Sequence, residues 1–281
     1  TEDYSNIHTI VVNTQLPYEN DIDKKYPNGS LTGAGVVFKF CQAYNDLIYK
    51  GRNSPDWLYD LCALGNCGDM ASYKELEIRA LMNVGLNQIS NPFVKGMASA
   101  NDFSIQKMNG INYYSVAFYI VPFINAITRS GSLEKDMVFK GMLEQYAHVM
   151  VPCSKRGCKG QEWELWQEAA LVAQRVKRRQ TKLQDETMTF LENKIQEEHL
   201  NDNAIILLLV EPGQVERNLA GLCANKIQAK YQKPCAILIR SKQKDDTEDY
   251  YRGSMRNYSL SPVDDLKSEL EKTGEIEFCA G

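Results

Sequence analysis

Asp69 is the carboxylate best placed for chemistry in this sequence. It closes the run Cys62-Ala-Leu-Gly-Asn-Cys-Gly68, where an apolar helix is expected to end in glycines and present one acid at its mouth. Carboxylate oxygens are ligands for hard divalent cations, and glycine lets backbone and ligand approach closely. A surface aspartate in a turn is the plainer alternative, since turns are rich in this residue. The run Val121-Pro-Phe-Ile-Asn-Ala-Ile-Thr-Arg-Ser-Gly131 sets Asn125 and Arg129 four apart behind a proline, on one face if the segment is helical. A planar guanidinium beside an amide suits phosphate recognition; a capped helix start is the other reading. Arg252-Gly253-Ser254-Met255-Arg256 could cradle an anion through its arginines, glycine and hydroxyl, or be a solvated turn.

Charge is unevenly spread. Val151–Leu183 carries eight Lys or Arg, Lys155, Arg156 and Lys159 among them, against three Glu, a surplus of five in a chain whose formal charge is −4. A basic stripe of this kind is what a groove tracking a nucleic-acid backbone needs; a solvated helix face is the alternative. Other chemistries lack support. There is no G-x-x-x-x-G-K, H-E-x-x-H or G-x-S-x-G, and His8, His148 and His199 are far apart. Cys62/Cys67 and Cys153/Cys158 are spaced C-x4-C, wider than most zinc knuckles, with no flanking His. Free thiols in a reducing cytoplasm are expected.

The elements that must position these groups follow from caps and periodicity. His8–Val12 reads as a short strand, and Leu31–Tyr49 as a helix ending at Gly51. Ser54-Pro55-Asp56 starts a second helix, carrying Trp57, Leu58, Leu61, Cys62 and Leu64 inward and stopping around Gly65–Gly68. Lys74–Leu86 and Glu134–Met150 are further helices. Gln161–Leu200 has neither Gly nor Pro and reads as one long helix, with a break near Asp185 as its variant. Beyond it, strands Ala204–Val210 and Pro234–Ile239 flank a helix at Val215–Gln232. A hairpin at Ser241–Glu248, a strand at Tyr250–Arg256, a helix opened by Ser261-Pro262 and a strand at Glu275–Cys279 complete the chain. Continuous apolar strands alternating with helices predict a small α/β domain covered on both faces. The fold class is therefore α/β: two α/β domains joined by a long interdomain helix. The boundaries expected are 1–150, a basic linker with the connecting helix at 151–201, and 202–281.

With 281 residues, 43% of them hydrophobic and 24% charged, the chain has the composition of a soluble globular protein, which excludes disordered and collagen-like classes. No apolar run reaches the roughly 20 residues that a membrane helix requires. Thr1–Tyr4 is polar and acidic, unlike a signal peptide.

Three segments also occur, in this order, in a known family. Ser30-Leu-Thr-Gly-Ala-Gly-Val-Val-Phe-Lys-Phe-Cys41 resembles the L-C/S-G-A-G-V-A-F-K helix of the RecJ-like DHH phosphoesterases. Leu61–Met70 resembles their A-L-G-T-x-A-D motif, and Pro122–Arg129 their P-R-I-N-A-x-G-R motif, with Phe123 and Thr128 departing. Asn218–Lys226, Gln232–Leu238 and Gly253-Ser-Met-Arg-Asn257 resemble the DHH-associated domain, Asn257 replacing a serine. The family's D-x-D and D-H-H motifs would lie before Thr1, and Phe278–Gly281 looks like the start of its G-G-H motif, so a catalytically incomplete nuclease core is expected.

The resemblance implies hydrolysis of single-stranded DNA from the 5′ end, dependent on Mn²⁺ or Mg²⁺, in repair, recombination or replication. It makes Asp69 a metal ligand and gives the strand to Asn125, Arg129, Gly253, Ser254 and Arg256, with Lys155 and Arg156 supplying charge. Tyr251 could stack bases, a core position being its plainer role. A cytoplasmic bacterial or phage-encoded monomer is expected, with single-stranded DNA as substrate and a single-strand-binding protein as partner. Two rivals stand beside this reading. One is a relative acting on oligoribonucleotides, cyclic dinucleotides or pyrophosphate; the other is a non-catalytic single-strand-binding or interaction module.

Overall fold

The computed structural model describes residues 11–18, 21–130, 134–242, 249–263 and 265–276. These divide into two compact units, 1–177 and 178–281.

The first unit is built largely of helices. A two-stranded antiparallel pair, β1 (Pro17–Tyr18) and β2 (Asp21–Lys25), precedes α1 (Gly33–Ile48). Thr32 caps α1 by accepting from the Gly35 N–H at 3.2 Å, and the helix ends where Lys50 and Gly51 turn left-handed, at φ 51° and 76°. His8–Ile10 of the expected first strand lie outside the described residues; Val11 and Val12 are irregular and exposed.

A 3-10 turn at Pro55–Leu58 leads into α2 (Tyr59–Gly68). One expectation fails here. Trp57 is 58% exposed rather than inward, because it lies on the 3-10 turn ahead of the packed helix. The helix ends at Gly68, within the expected Gly65–Gly68 stop.

Next come α3 (Leu76–Asn87), α4 (Pro92–Ala100), α5 (Asp102–Gln106), α6 (Tyr113–Tyr119) and α7 (Val121–Arg129). Asn91 caps α4, and Asn112 with Ser115 forms a capping box on α6. The single helix expected over Glu134–Met150 is instead α8 (Glu134–Met142) and α9 (Glu144–Ala147), with Leu143 extended between them. Met150 then opens β3 (Met150–Pro152), antiparallel to β4 (Glu162–Glu164). Gln161–Glu164 accordingly belongs to this hairpin and not to the long helix.

That helix, α10, runs unbroken over Leu165–Glu197, so there is no break at Asp185. The division between the units falls inside it. Ala169, Ala173 and Val176 are buried in the first core with Phe38, Met82 and Ile127; Leu191 and Ile195 are buried in the second. A buried carboxylate reinforces the first core. Asp60 accepts the backbone N–H groups of Leu61, Ser90 and Asn91 at 2.7, 2.8 and 2.7 Å, tying α2 to the start of α4. Charge-assisted bonds of this kind offset the cost of removing a carboxylate from water.

The second unit is α/β. Strands β5 (Ile206–Val210), β6 (Cys235–Lys242) and β7 (Asp249–Arg256) form one sheet in that order, β5 and β6 parallel, β6 and β7 antiparallel. Helix α11 (Arg217–Tyr231) connects β5 to β6 and packs Leu219, Cys223 and Ile227 into the core. The sheet is not covered on both faces as expected. Ile206, Leu208 and Val210 are buried, whereas Leu207 and Leu209 are 45% and 42% exposed, the period-2 alternation of a half-covered sheet.

The last helix, α12 (Leu266–Glu271), starts later than Ser261-Pro262 because Asp265 is its cap. Glu275 and Ile276 are irregular. The rest of the expected last strand, and residues 243–248 of the expected hairpin, lie outside the described residues.

Candidate functional site

The first two family-like segments pack on each other. Thr32, at the start of α1, donates its hydroxyl to Asn66 Oδ1 of α2 at 2.6 Å, and both residues are buried. A Cβ on Gly65 would collide with the Ala34 Cβ, so the glycine is what lets the two helices approach this closely. The close approach is therefore between helices, rather than between backbone and a ligand.

Asp69 sits immediately past this contact as the C-cap of α2. Its N–H donates to the Gly65 carbonyl at 3.0 Å and its side chain is exposed. Met70 follows at φ 53°.

The third segment adjoins the second, since a Cβ on Gly68 would lie 3.7 Å from Val121 Cγ1 at the start of α7. Asn125 and Arg129 are both on α7, as the four-residue spacing requires, with Asn125 half-buried and Arg129 exposed in the last turn. The fold thus brings the Asp69 and Asn125/Arg129 segments side by side in one unit.

Among the described residues, no three of His, Cys, Asp and Glu converge. The nearby thiols are also poor candidates, because burial pushes Cys62 to about 11 and Cys67 to about 12 and holds both neutral. Asp69 alone cannot hold a catalytic ion pair, which needs several ligands.

Lys155 and Arg156 are exposed at the tip of the β3–β4 hairpin. The hairpin is fastened to α10 by a group the sequence did not reveal. Buried Glu168 accepts from the Ser154 N–H at 3.0 Å, the Trp163 indole N–H at 2.8 Å, and the Ser154 hydroxyl. Arg175 donates to Ser154 Oγ and to the Ser154 carbonyl, both at 2.6 Å. In the sequence Arg175 is one charge of the basic stripe; in the structure it is a brace for the hairpin. Cys153 and Cys158 lie in the same loop as neighbouring free thiols, hydrogen bonding between them raising the Cys158 value.

In the second unit, β7 places Arg252, Ser254 and Arg256 on one face by alternation. Ser254 and Arg256 both lie over Gly221 of α11, where an added Cβ would stand 3.4 Å from Ser254 Oγ and 2.9 Å from Arg256 Nη2. A further segment singled out in the sequence, Asn218–Lys226, thereby packs against the Gly-Ser-Met-Arg strand. Gly253 itself crosses β6 so closely that a Cβ would overlap the Ile237 carbonyl oxygen. Arg252 stacks its guanidinium 4.8 Å from the Tyr250 ring centre. Tyr251 is 42% exposed and so is not a core residue.

A helical unit with paired glycine-bearing helices, followed by a small α/β unit carrying a Ser/Arg face, resembles the fold of RecJ. RecJ from Thermus thermophilus, solved with Mn²⁺, superposes on 78% of this chain and 28% of its own, with a TM-score of 0.56 at 23% identity. An exonuclease RecJ bound to manganese matches 80% of this chain and 51% of its own, at TM-score 0.54 and 22% identity.

The particular relationship comes from sequence. Over 276 residues the chain is 33% identical to a Bacillus subtilis (strain 168) protein named, provisionally, as the SPbeta prophage-derived single-strand DNA-specific exonuclease YorK, and equally to its counterpart in Bacillus phage SPbeta. That match takes in 98% of this chain and 45% of the relative, so the chain spans about half the length of the curated relatives it matches. No family model matches the chain. The chain has a RecJ-like fold, as its motifs imply. Among the described residues no helix is long and apolar enough to cross a membrane.

Proposed function

We propose that this chain is the strand-holding part of a RecJ-like exonuclease that hydrolyses single-stranded DNA from the 5′ end with Mn²⁺ or Mg²⁺. The observation that carries the reading is the relationship of 98% of the chain to a protein named as a single-strand DNA-specific exonuclease. The structures of RecJ with Mn²⁺ and with Mg²⁺ support the choice of cation. A divalent ion bound beside a phosphodiester activates water and stabilises the leaving oxygen. Asp69 would contribute one carboxylate to such a centre; because the described residues gather no others beside it, no bond-breaking step is assigned to them.

What these side chains do is bind and orient. Asn125 and Arg129 hold the strand beside Asp69. In the second unit Ser254 and Arg256 grip a phosphate, with Gly253 permitting the close strand pairing that sets them on one face. Lys155 and Arg156, on a hairpin braced by Glu168, add sequence-independent attraction to the backbone. A monomer working with a single-strand-binding protein in bacterial or phage DNA repair, recombination or replication completes the proposal.

The test is binding and hydrolysis of 5′-labelled single-stranded DNA by the chain, with and without Mn²⁺. Salt-sensitive binding that favours single strands over duplex is expected. Failure to bind single strands overturns the reading. Release of mononucleotides on adding Mn²⁺ would locate the catalytic ligands within the chain.

A further inference from the structure

Beside Asp69 lies a group of tyrosines that the motifs do not explain, of which Tyr113 packs in part against the core. The Tyr113 hydroxyl, at the start of α6, reaches Met70 Sδ at 3.7 Å. Its ring is 5.9 Å from that of Tyr73 at 44°, and 5.2 Å from that of Tyr114 at 76°. The Arg79 guanidinium stands 6.0 Å from the Tyr73 ring centre. The patch faces water: Tyr73, Tyr114 and Met70 are 40%, 62% and 68% exposed. Its rings are held in place nonetheless, Tyr73 by a hydroxyl bond to Asn83 and Tyr113 by Met70.

The patch itself carries no surplus of positive charge. Within Met70–Ala80, Lys74 and Arg79 are matched by Glu75 and Glu77, and the Asp69 carboxylate adjoins them. The patch instead offers ring faces. Tilted and edge-on packing covers less ring face than parallel stacking would, and Tyr73 and Tyr114 keep ring surface open to water. Neutral planar groups are the complementary ligand, and a base stacks on an aromatic ring whatever its identity.

Resting on the single-strand reading above, we propose that Tyr73, Tyr113 and Tyr114 form a stacking platform for the bases of a single-stranded nucleic acid next to Asp69. Arg79 extends the platform as a planar cation over Tyr73. The platform turns base faces toward the tyrosines and leaves the phosphate backbone to the basic groups elsewhere in the chain.

The experiment compares two fluorescently labelled single strands of equal length and charge in metal-free buffer. One is ordinary oligodeoxyadenylate; the other has abasic sites through its central stretch. The chain should bind the first at least about fivefold more tightly, the lower end of what stacking one base supplies. Tyr114→Ala and Tyr73→Ala should lose most of that preference while keeping their affinity for the abasic strand, and Tyr114→Phe should retain the preference. Tyr114 is 62% exposed, so its variant should melt like the parent. Equal affinity of the parent for both strands, or a preference that survives both alanine variants, overturns the platform and leaves the single-strand reading standing. Binding to neither strand overturns the single-strand reading, and the platform with it.

Discussion

The Thr32 hydroxyl and the Asn66 side-chain carbonyl meet at 2.6 Å in a site closed to water, joining the N-terminus of α1 to the last turn of α2. The same hydroxyl accepts the Gly35 N–H, and the Asn66 amide donates to Cys62 Sγ at 3.7 Å. Thr32→Val keeps the shape and removes both the cap and the pair. It should destabilise the protein by about 1–3 kcal/mol, the cost of a buried polar group left without its partner. Chemical denaturation would measure this. A double-mutant cycle with Asn66→Ala should show strong coupling, and simple additivity would mean the contact contributes little.

Gly253 and Arg256 should separate structure from binding. Gly253→Ala pushes a methyl into the Ile237 carbonyl across the sheet and should cost at least about 1–3 kcal/mol, as overpacking does. Arg256→Ala removes only a surface guanidinium over Gly221. It should melt like the parent while weakening single-strand binding alike for all sequences, with a salt slope shallower by about 0.7. Unchanged affinity would remove Arg256 from the strand site.

Glu168 tests whether the basic hairpin works as a fixed unit. Glu168→Ala leaves the Trp163 indole and the Ser154 N–H without their acceptor, at a cost of about 1–3 kcal/mol. Although it deletes a negative charge, it should also weaken DNA binding, because Lys155 and Arg156 lose their placement. Tighter binding by the variant would show that net charge alone matters.

Glu77 governs an acid-sensitive contact. Burial raises its value, but hydrogen bonds from Tyr26 at 2.6 Å, Asn28 at 3.1 Å and Lys39 at 3.3 Å outweigh that and hold it below the ordinary carboxylate range. A depressed folded value means that the stabilisation is present above the unfolded value of about 4.3 and is lost as pH falls through the lower folded one. The parent should therefore exceed Glu77→Gln in stability at neutral pH, and the two should converge in acid. A gap independent of pH would mean the ionised form is not what the contact needs.

His148, exposed at the end of α9, donates its Nδ1–H to Glu164 of β4 at 2.9 Å and lies 3.5 Å from Glu144. The bond to Glu164 raises its value, helped by the charges of both glutamates. Its contribution is thus fully present below the unfolded value of about 6.5 and fades as pH rises through the folded one. Titration by NMR should find His148 above that reference, and Glu164→Gln should bring it down.

Local signals reached a good part of this fold. Gly51 terminates α1, and the Gly- and Pro-free stretch after Glu164 is one helix, because these depend on near neighbours in the chain. Where two local outcomes compete, sequence reading fails. Hydrophobicity alone sends Trp57 into the core, and nothing in the pattern after Glu134 marks the break at Leu143.

The sequence by itself determined the ordered motifs and hence the resemblance to RecJ, since resemblance needs only residue types in order. It also determined the four-residue spacing of Asn125 and Arg129, which a helix turns into one face. The tertiary structure decided the rest. Gly65 serves helix packing because Ala34 happens to face it; Arg175 is a brace because Ser154 lies across from it, twenty-one residues away. Asp69 and the tyrosines Tyr73, Tyr113 and Tyr114 became one surface only when α2, α3 and α6 packed together. Side-chain neighbourhoods of this kind depend on which faces meet in the core, which pairwise spacing along the chain does not encode.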